Sequence, residues 1–264
     1  MHYLRAGTGA PTLAFVHGFG CSHEDWLLQI NELKNRFETV TWDLRGHGMT
    51  PGRAQECSIE HFGGDVAALL SVLDIEKTVL IGHSMGCRVV LEAARLLSSE
   101  RPERIAGLVL IDGSRLGTGD PAAAEAAARA AIDKSGYAAF SENLFRQMFF
   151  SPSALAEAIV TRALRQPTEI GSALWPRMAC WDAGEMEAAL AAVRVPLLAI
   201  QSTTRDPQTL RRAPLKPGDS SPWLDLVRQK KNAKIEIVAG VGHFTQLEAP
   251  DRVNRLIADF AGAL

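Results

Sequence analysis

Ser84 stands in Gly82-His83-Ser84-Met85-Gly86, which follows the apolar run Thr78-Val79-Leu80-Ile81 and precedes residues of helical periodicity from 88 to 97. Gly-x-Ser-x-Gly between a strand and a helix is the nucleophile-elbow pattern. The flanking glycines let strand and helix pass closely. The bend lifts the hydroxyl beside a helix N-terminus, whose free N–H groups favour developing negative charge. A serine hydroxyl is a weak nucleophile at its ordinary pKa and needs a base. His243, between Gly242 and Phe244 just past the last strand-like run, can reach across to take that proton. Of the seven histidines, His17 and His47 read as braces of turns, and His83 sits inside the elbow with its side chain turned sideways. His2, His23 and His61 follow no such strand. The N–H of Met85, and that of Phe19 in His17-Gly18-Phe19-Gly20, are the expected donors to an oxyanion. Together these residues could carry out acyl transfer through an acyl-serine.

Positioning them requires a scaffold that brings distant strand ends together. Near-continuous apolar runs at 11–16, 39–42, 78–81, 104–111 and 195–201, and an alternating run at 234–238, are separated by helical patterns. That order predicts a mostly parallel sheet covered on both faces. From about 120 to 190 no strand is predicted. Helices are expected at 122–132, 137–150, 153–164, around 170–181 and at 185–193, forming a lid over the strand C-termini, where ligands bind in open α/β sheets. Phe145, Phe149, Trp175 and Met178 from that segment, with His17, are candidate pocket walls. The stretch 202–221 reads as an irregular polar loop. Its Arg205, Arg211, Arg212 and Lys216 read first as solvated surface charge, and second as a basic mouth able to hold a substrate carboxylate.

Apolar residues make up 47% of the 264 positions and charged residues 22%, with a formal net charge of -2, ordinary for a soluble globular chain. Nothing in that balance points to nucleic acid or an anionic membrane as a partner. No apolar stretch approaches a membrane span, and residues 1–7 lack the apolar core of a signal peptide. Cys21, Cys57, Cys87 and Cys180 are scattered without metal-ligand spacing, so we expect reduced thiols, a cytoplasmic setting, and no metal or other cofactor. A monomer or a homodimer fits equally.

The four segments His17-Gly18-Phe19-Gly20, Asp43-Leu44-Arg45-Gly46-His47-Gly48, Gly82-His83-Ser84-Met85-Gly86 and Gly242-His243, in this order and spacing, resemble the α/β-hydrolase superfamily across essentially the whole chain. The resemblance implies an eight-stranded, mostly parallel sheet shortened at its N-terminus, with a helical cap inserted after the sixth strand. The corresponding division is a core at 1–114 and 194–264 and a cap at 115–193. It also implies a Ser–acid–His triad. Members usually carry the acid a few residues after the strand found here at 195–201, commonly as Gly-x-x-Asp. This chain reads Ser202-Thr203-Thr204-Arg205-Asp206, without the glycine and with an extra residue. A minority place the acid at the end of the sixth strand, where Asp112 stands. Both remain candidates; chain order leans to Asp206, and Asp225 and Glu248 stand further back.

The expected activity is cofactor-free hydrolysis of an ester or lactone of a small, largely apolar acid. Serine at the elbow argues against the branches of the superfamily with an aspartate nucleophile. Carbon–carbon bond hydrolysis, amide hydrolysis, acyl transfer, perhydrolysis, or a ligand receptor on the same fold would use the same residues.

Overall fold

The apolar runs become strands whose alternate side chains divide between the two faces of one sheet. A computed structural model describes residues 1–205 and 211–264. In chain order the strands are β1 (Tyr3–Ala6), β2 (Thr12–Val16), β3 (Thr39–Trp42), β4 (Thr78–His83), β5 (Ile105–Ile111), β6 (Leu197–Gln201), β7 (Thr203–Arg205), β8 (Arg212–Pro214) and β9 (Ala233–Ile237). Seven form the main sheet in the order β1-β3-β2-β4-β5-β6-β9, while β7 and β8 pair with each other. Only β1 runs antiparallel in the main sheet. Among the described residues the main sheet thus has seven strands, in keeping with a sheet shortened at its N-terminus. Only β1 and β2 precede β3, so the strand expected as the sixth is β5 here.

Leu13, Phe15, Val79, Ile81, Val109, Ile111, Leu198 and Ile200 face α1 (Leu27–Leu33) and the last helix, 250–262. Ala14, Val16, Leu80, Leu108, Leu110 and Ala199 face the other way, toward α2 (Ile59–Val72) and α3 (Met85–Glu100). Burying each of the larger side chains contributes roughly 1.5–3 kcal/mol. A one-residue slip would exchange the faces, so this alternation holds the register.

The register also places the chemistry. Val16 pairs with Gly82, His83 with Ile111, Ile111 with Ile200, and Gln201 with Ile237. Residues 17–20, Ser84, Asp112, Ser202 and the loop after β9 therefore leave the sheet along one edge.

Between β5 and β6 come α4 (Pro121–Asp133), α5 (Tyr137–Arg146), α6 (Ala154–Ala163), α7 (Thr168–Gly184) and α8 (Met186–Ala192). Asp120 and Ser153 cap α4 and α6 through their side-chain oxygens, and Pro121 opens the first turn of α4. Helix α5 stops at Arg146, short of the expected 150. The Met148 carbonyl accepts instead from the His243 N–H at 2.8 Å, which ties the segment after the helix to the loop after β9. The chain closes with α9 (Pro222–Arg228), α10 (Thr245–Glu248) and α11 (Pro250–Gly262). The polar stretch after β6 holds the β7–β8 pair where an irregular loop was expected; three-residue strands are too short to leave a periodic signal. Among the described residues no helix is long and apolar enough to cross a membrane.

Candidate active site

Ser84 joins β4 to α3 with φ +56° and ψ −112°, a conformation costly for a side-chain-bearing residue. Its neighbours leave no alternative path. A β-carbon on Gly82 would lie 2.3 Å from the Gly86 carbonyl oxygen, and one on Gly86 would lie 2.3 Å from that of Val16. The Ser84 N–H donates to Ile111 O at 2.9 Å, which ties the bend to β5. Opening α3, Met85 is among the residues whose N–H a helix leaves without an intrahelical acceptor. Gly18 packs so closely that a β-carbon there would sit 3.3 Å from Ser84 Cβ, which brings Phe19 to the same cavity wall.

His243 is fully buried, and its Nε2 lies 2.9 Å from Ser84 Oγ. Arg212 Nη2 lies 3.1 Å from the same nitrogen. A guanidinium can only donate, so Nε2 carries a lone pair and the proton of the neutral ring sits on Nδ1. Nδ1 faces Asp112, whose Oδ2 is 3.8 Å away, an ion-pair separation rather than a hydrogen bond. Behind the ring, His83 Nε2–H donates to the His243 carbonyl at 2.9 Å, and the two rings pack at 4.8 Å. Burial lowers the His243 pKa from 6.5 to about 3; the Arg212 charge adds to this and Asp112 opposes it.

Asp112 is fully buried at the end of β5, with φ +48°. Oδ1 accepts from Gln201 Nε2 (2.9 Å), Thr203 N (3.1 Å) and Thr203 Oγ1 (3.0 Å). Oδ2 accepts from Ser202 Oγ and from Thr245 Oγ1 (2.7 Å). Burial alone would raise its pKa, yet His243, Arg212 and Ser202 outweigh that and hold it at about 2. The carboxylate is thus ionised and fixed. Asp206, the other acid candidate, lies outside the described residues.

The cavity above Ser84 has a free volume of about 20 Å³, room for the centre of roughly one water. Of the pocket candidates Phe145, Trp175 and Met178 line it, together with the expected oxyanion donors Phe19 and Met85, and with Met148, Phe244, Arg88 and Arg212. His17 and Phe149 do not. His17 is fully buried under the turn, where Nδ1–H donates to Gly18 O (2.8 Å) and Nε2 accepts from Leu44 N (3.0 Å). Phe149 instead stacks on the back of Phe244 at 5.2 Å.

Two further features leave little trace in the sequence. Arg88, four residues after Ser84, is buried against Asp182 of α7 through two bonds, at 2.7 and 2.6 Å, and so ties the elbow helix to the helical segment. Its position at i+4 was visible; its partner, 94 residues away, was not. The basic stretch also splits. Arg211 and Lys216 are exposed, whereas Arg212 is half-buried in the site and Arg205 packs over Trp175.

One group of potential metal ligands occurs among the described residues, His2, His23 and Asp43. Asp43 there accepts from the backbone N–H of His23 and of Met49 and bonds the His23 ring, which braces the turn around Gly48. At the Ser84 site the hydroxyl meets the His243 ring, which in turn meets the Arg212 guanidinium.

A family described as "Alpha/beta hydrolase family" matches residues 13–256. A dihydrolipoyllysine-residue acetyltransferase component of the acetoin cleaving system from Cupriavidus necator is 34% identical over 120 residues, 46% of this chain and 30% of that protein. The chain thus spans about 30% of the length of the first curated relatives it matches. Among solved structures, a thermophilic esterase from Thermogutta terrifontis aligns over 98% of this chain and 91% of its own, with TM-score 0.75 and 24% identity. The enol-lactonase from Burkholderia xenovorans LB400 aligns over 98% and 95%, with TM-score 0.75 and 20% identity. At these identities the likeness is one of fold.

Proposed function

The chain belongs to the alpha/beta hydrolase family, and on that premise we propose that it is a cofactor-free serine hydrolase that cleaves a carboxylic ester or lactone. The observation that carries this reading is the 2.9 Å contact between Ser84 Oγ and a His243 Nε2 whose lone pair is fixed by an arginine that can only donate. Ser84 Oγ attacks the carbonyl carbon as its proton passes to Nε2. The N–H groups of Met85 and Phe19 receive the oxyanion, a role supported by the helix start at Met85 and by the packing of the 18–19 turn against Ser84. The leaving oxygen takes the proton back from Nε2, and a water activated by the same nitrogen releases the acid.

We assign the triad acid to Asp112. The support is its burial, its ionisation and its place 3.8 Å from Nδ1; a small rotation of the ring on charging would close that gap to a hydrogen bond. Ser202, Thr203 and Thr245 hold the carboxylate still. Residues 115–193 act in this reading as a cap whose Phe145, Met148, Trp175 and Met178 keep water from the site and shape an apolar acyl wall.

Ser84→Ala tests the reading. Hydrolysis of short-chain esters and lactones by the variant is expected to fall roughly a thousandfold or more in kcat, with an unchanged melting temperature. Full activity in Ser84→Ala would remove the serine from the reaction.

A further inference from the structure

We propose that the substrate carries a carboxylate on its leaving-group half and that Arg212 binds it; this rests on the serine-hydrolase reading above. Nε2 of His243 must come within hydrogen-bond reach of the leaving oxygen to return a proton to it. Apart from Ser84 Oγ, the group that holds this position is Arg212 Nη2, at 3.1 Å. The leaving half of a bound substrate therefore meets Arg212 first.

The guanidinium is placed for an anion. Its hydrogen bonds go to neutral acceptors, His243 Nε2 and Thr203 Oγ1 (3.1 Å), and among the described residues no carboxylate lies within 4 Å of it. In the β7–β8 register Arg212 stands directly opposite Arg205. Arg88, the third guanidinium near Ser84, is already neutralised by Asp182, so it does not compete. Burial, with the neighbouring Arg205 and Arg88 opposing Asp112, lowers the pKa of Arg212 to about 10, which leaves it charged at neutral pH.

Space points the same way. The 20 Å³ above Ser84 cannot hold a substrate unless side chains yield. Beyond the shared wall of Ser114 and Leu116 lies a second cavity of about 230 Å³, lined also by Arg205. A carboxylate that draws Arg212 from His243 opens the leaving side toward that cavity. The same shift frees the Nε2 lone pair for the serine proton.

Two matched pairs of esters test this. Acetoxyacetate and neutral acetoxyacetamide differ on the leaving side; monomethyl succinate and neutral methyl succinamate differ on the acyl side. We expect kcat/KM to favour acetoxyacetate over its amide by roughly tenfold or more, with no comparable preference in the succinate pair. Arg212→Gln should abolish the preference and Arg212→Lys should keep part of it. Equal rates within the first pair, a preference confined to the succinates, or a preference that survives Arg212→Gln would each overturn the proposal. Calorimetry on Ser84→Ala reads it without turnover: acetoxyacetate should bind at least about tenfold tighter than acetoxyacetamide, and equal affinity counts against the carboxylate site. Loss of hydrolysis of all four esters, with that difference in binding intact, would sink the hydrolase reading instead.

Discussion

Replacing Arg212 by glutamine should make the catalytic base stronger. Arg212 Nη2 is 3.1 Å from His243 Nε2, and after burial its charge is the largest influence that depresses the histidine. Two unit charges about 4 Å apart at an effective dielectric near 20 interact by about 4 kcal/mol, a ceiling of roughly three pKa units. Arg212 is only half-buried, and solvent screening reduces this to roughly two units. The group that starts at about 3 would then titrate near pH 5. Because kcat/KM reports the free enzyme, the assay is its pH profile between 4.5 and 8, taken on a neutral ester so that substrate charge plays no part. Tryptophan fluorescence would verify that both proteins stay folded. Wild-type activity should be flat down to about pH 5, and the variant should lose half of its activity near there. Profiles that superimpose, or a variant limb at lower pH, would refute an arginine acting on this ring.

Asp112→Asn should lower kcat by roughly 10³–10⁴-fold with little change in KM, while Asp206→Asn should change it by no more than a few fold; stopped-flow rates on one ester would compare them, and the reverse order would return the acid to Asp206. Burial lowers His17 and His243 to about 3 and His47 to about 4, so the unfolded chain binds more protons below pH 6.5. Each should cost about 2 kcal/mol between pH 7.5 and 5, so stability falls as pH falls, and urea midpoints that do not move over this range would contradict it. Asp182→Ala leaves Arg88 charged and buried and should destabilise by roughly 3–5 kcal/mol in urea titrations; a cost below about 1 kcal/mol would mean that the pair does not hold the helical segment to the elbow.

Much of this was legible in the chain. Ser84 and His243 announce themselves because an elbow and a strand-end histidine are local patterns, one after a continuous apolar run and the other after an alternating one. Helices 121–133 and 154–163 follow from capping residues and Ala-rich composition, which are local as well. Asp112 and Asp206 could not be separated, since the choice depends on Ser202, Thr203 and Thr245 meeting at one carboxylate across three segments. The sequence groups Arg212 with Arg205, Arg211 and Lys216, since it shows charge and not direction; Arg212 opens β8 and meets His243, while Arg211, just before the strand, is exposed. Of the two readings of His17, turn brace and pocket wall, the structure gives the first, and Phe149, a pocket candidate, backs Phe244 instead. The Arg88–Asp182 pair joins positions 94 residues apart, and no periodicity reports such a contact.

The most direct measurement is active-site labelling with a fluorophosphonate, followed by mass spectrometry of the intact protein and of its peptides. One adduct per chain on Ser84 is expected, absent in Ser84→Ala and much slower in His243→Ala. An unlabelled wild type, or an adduct that persists in Ser84→Ala, would contradict a nucleophilic serine served by that histidine.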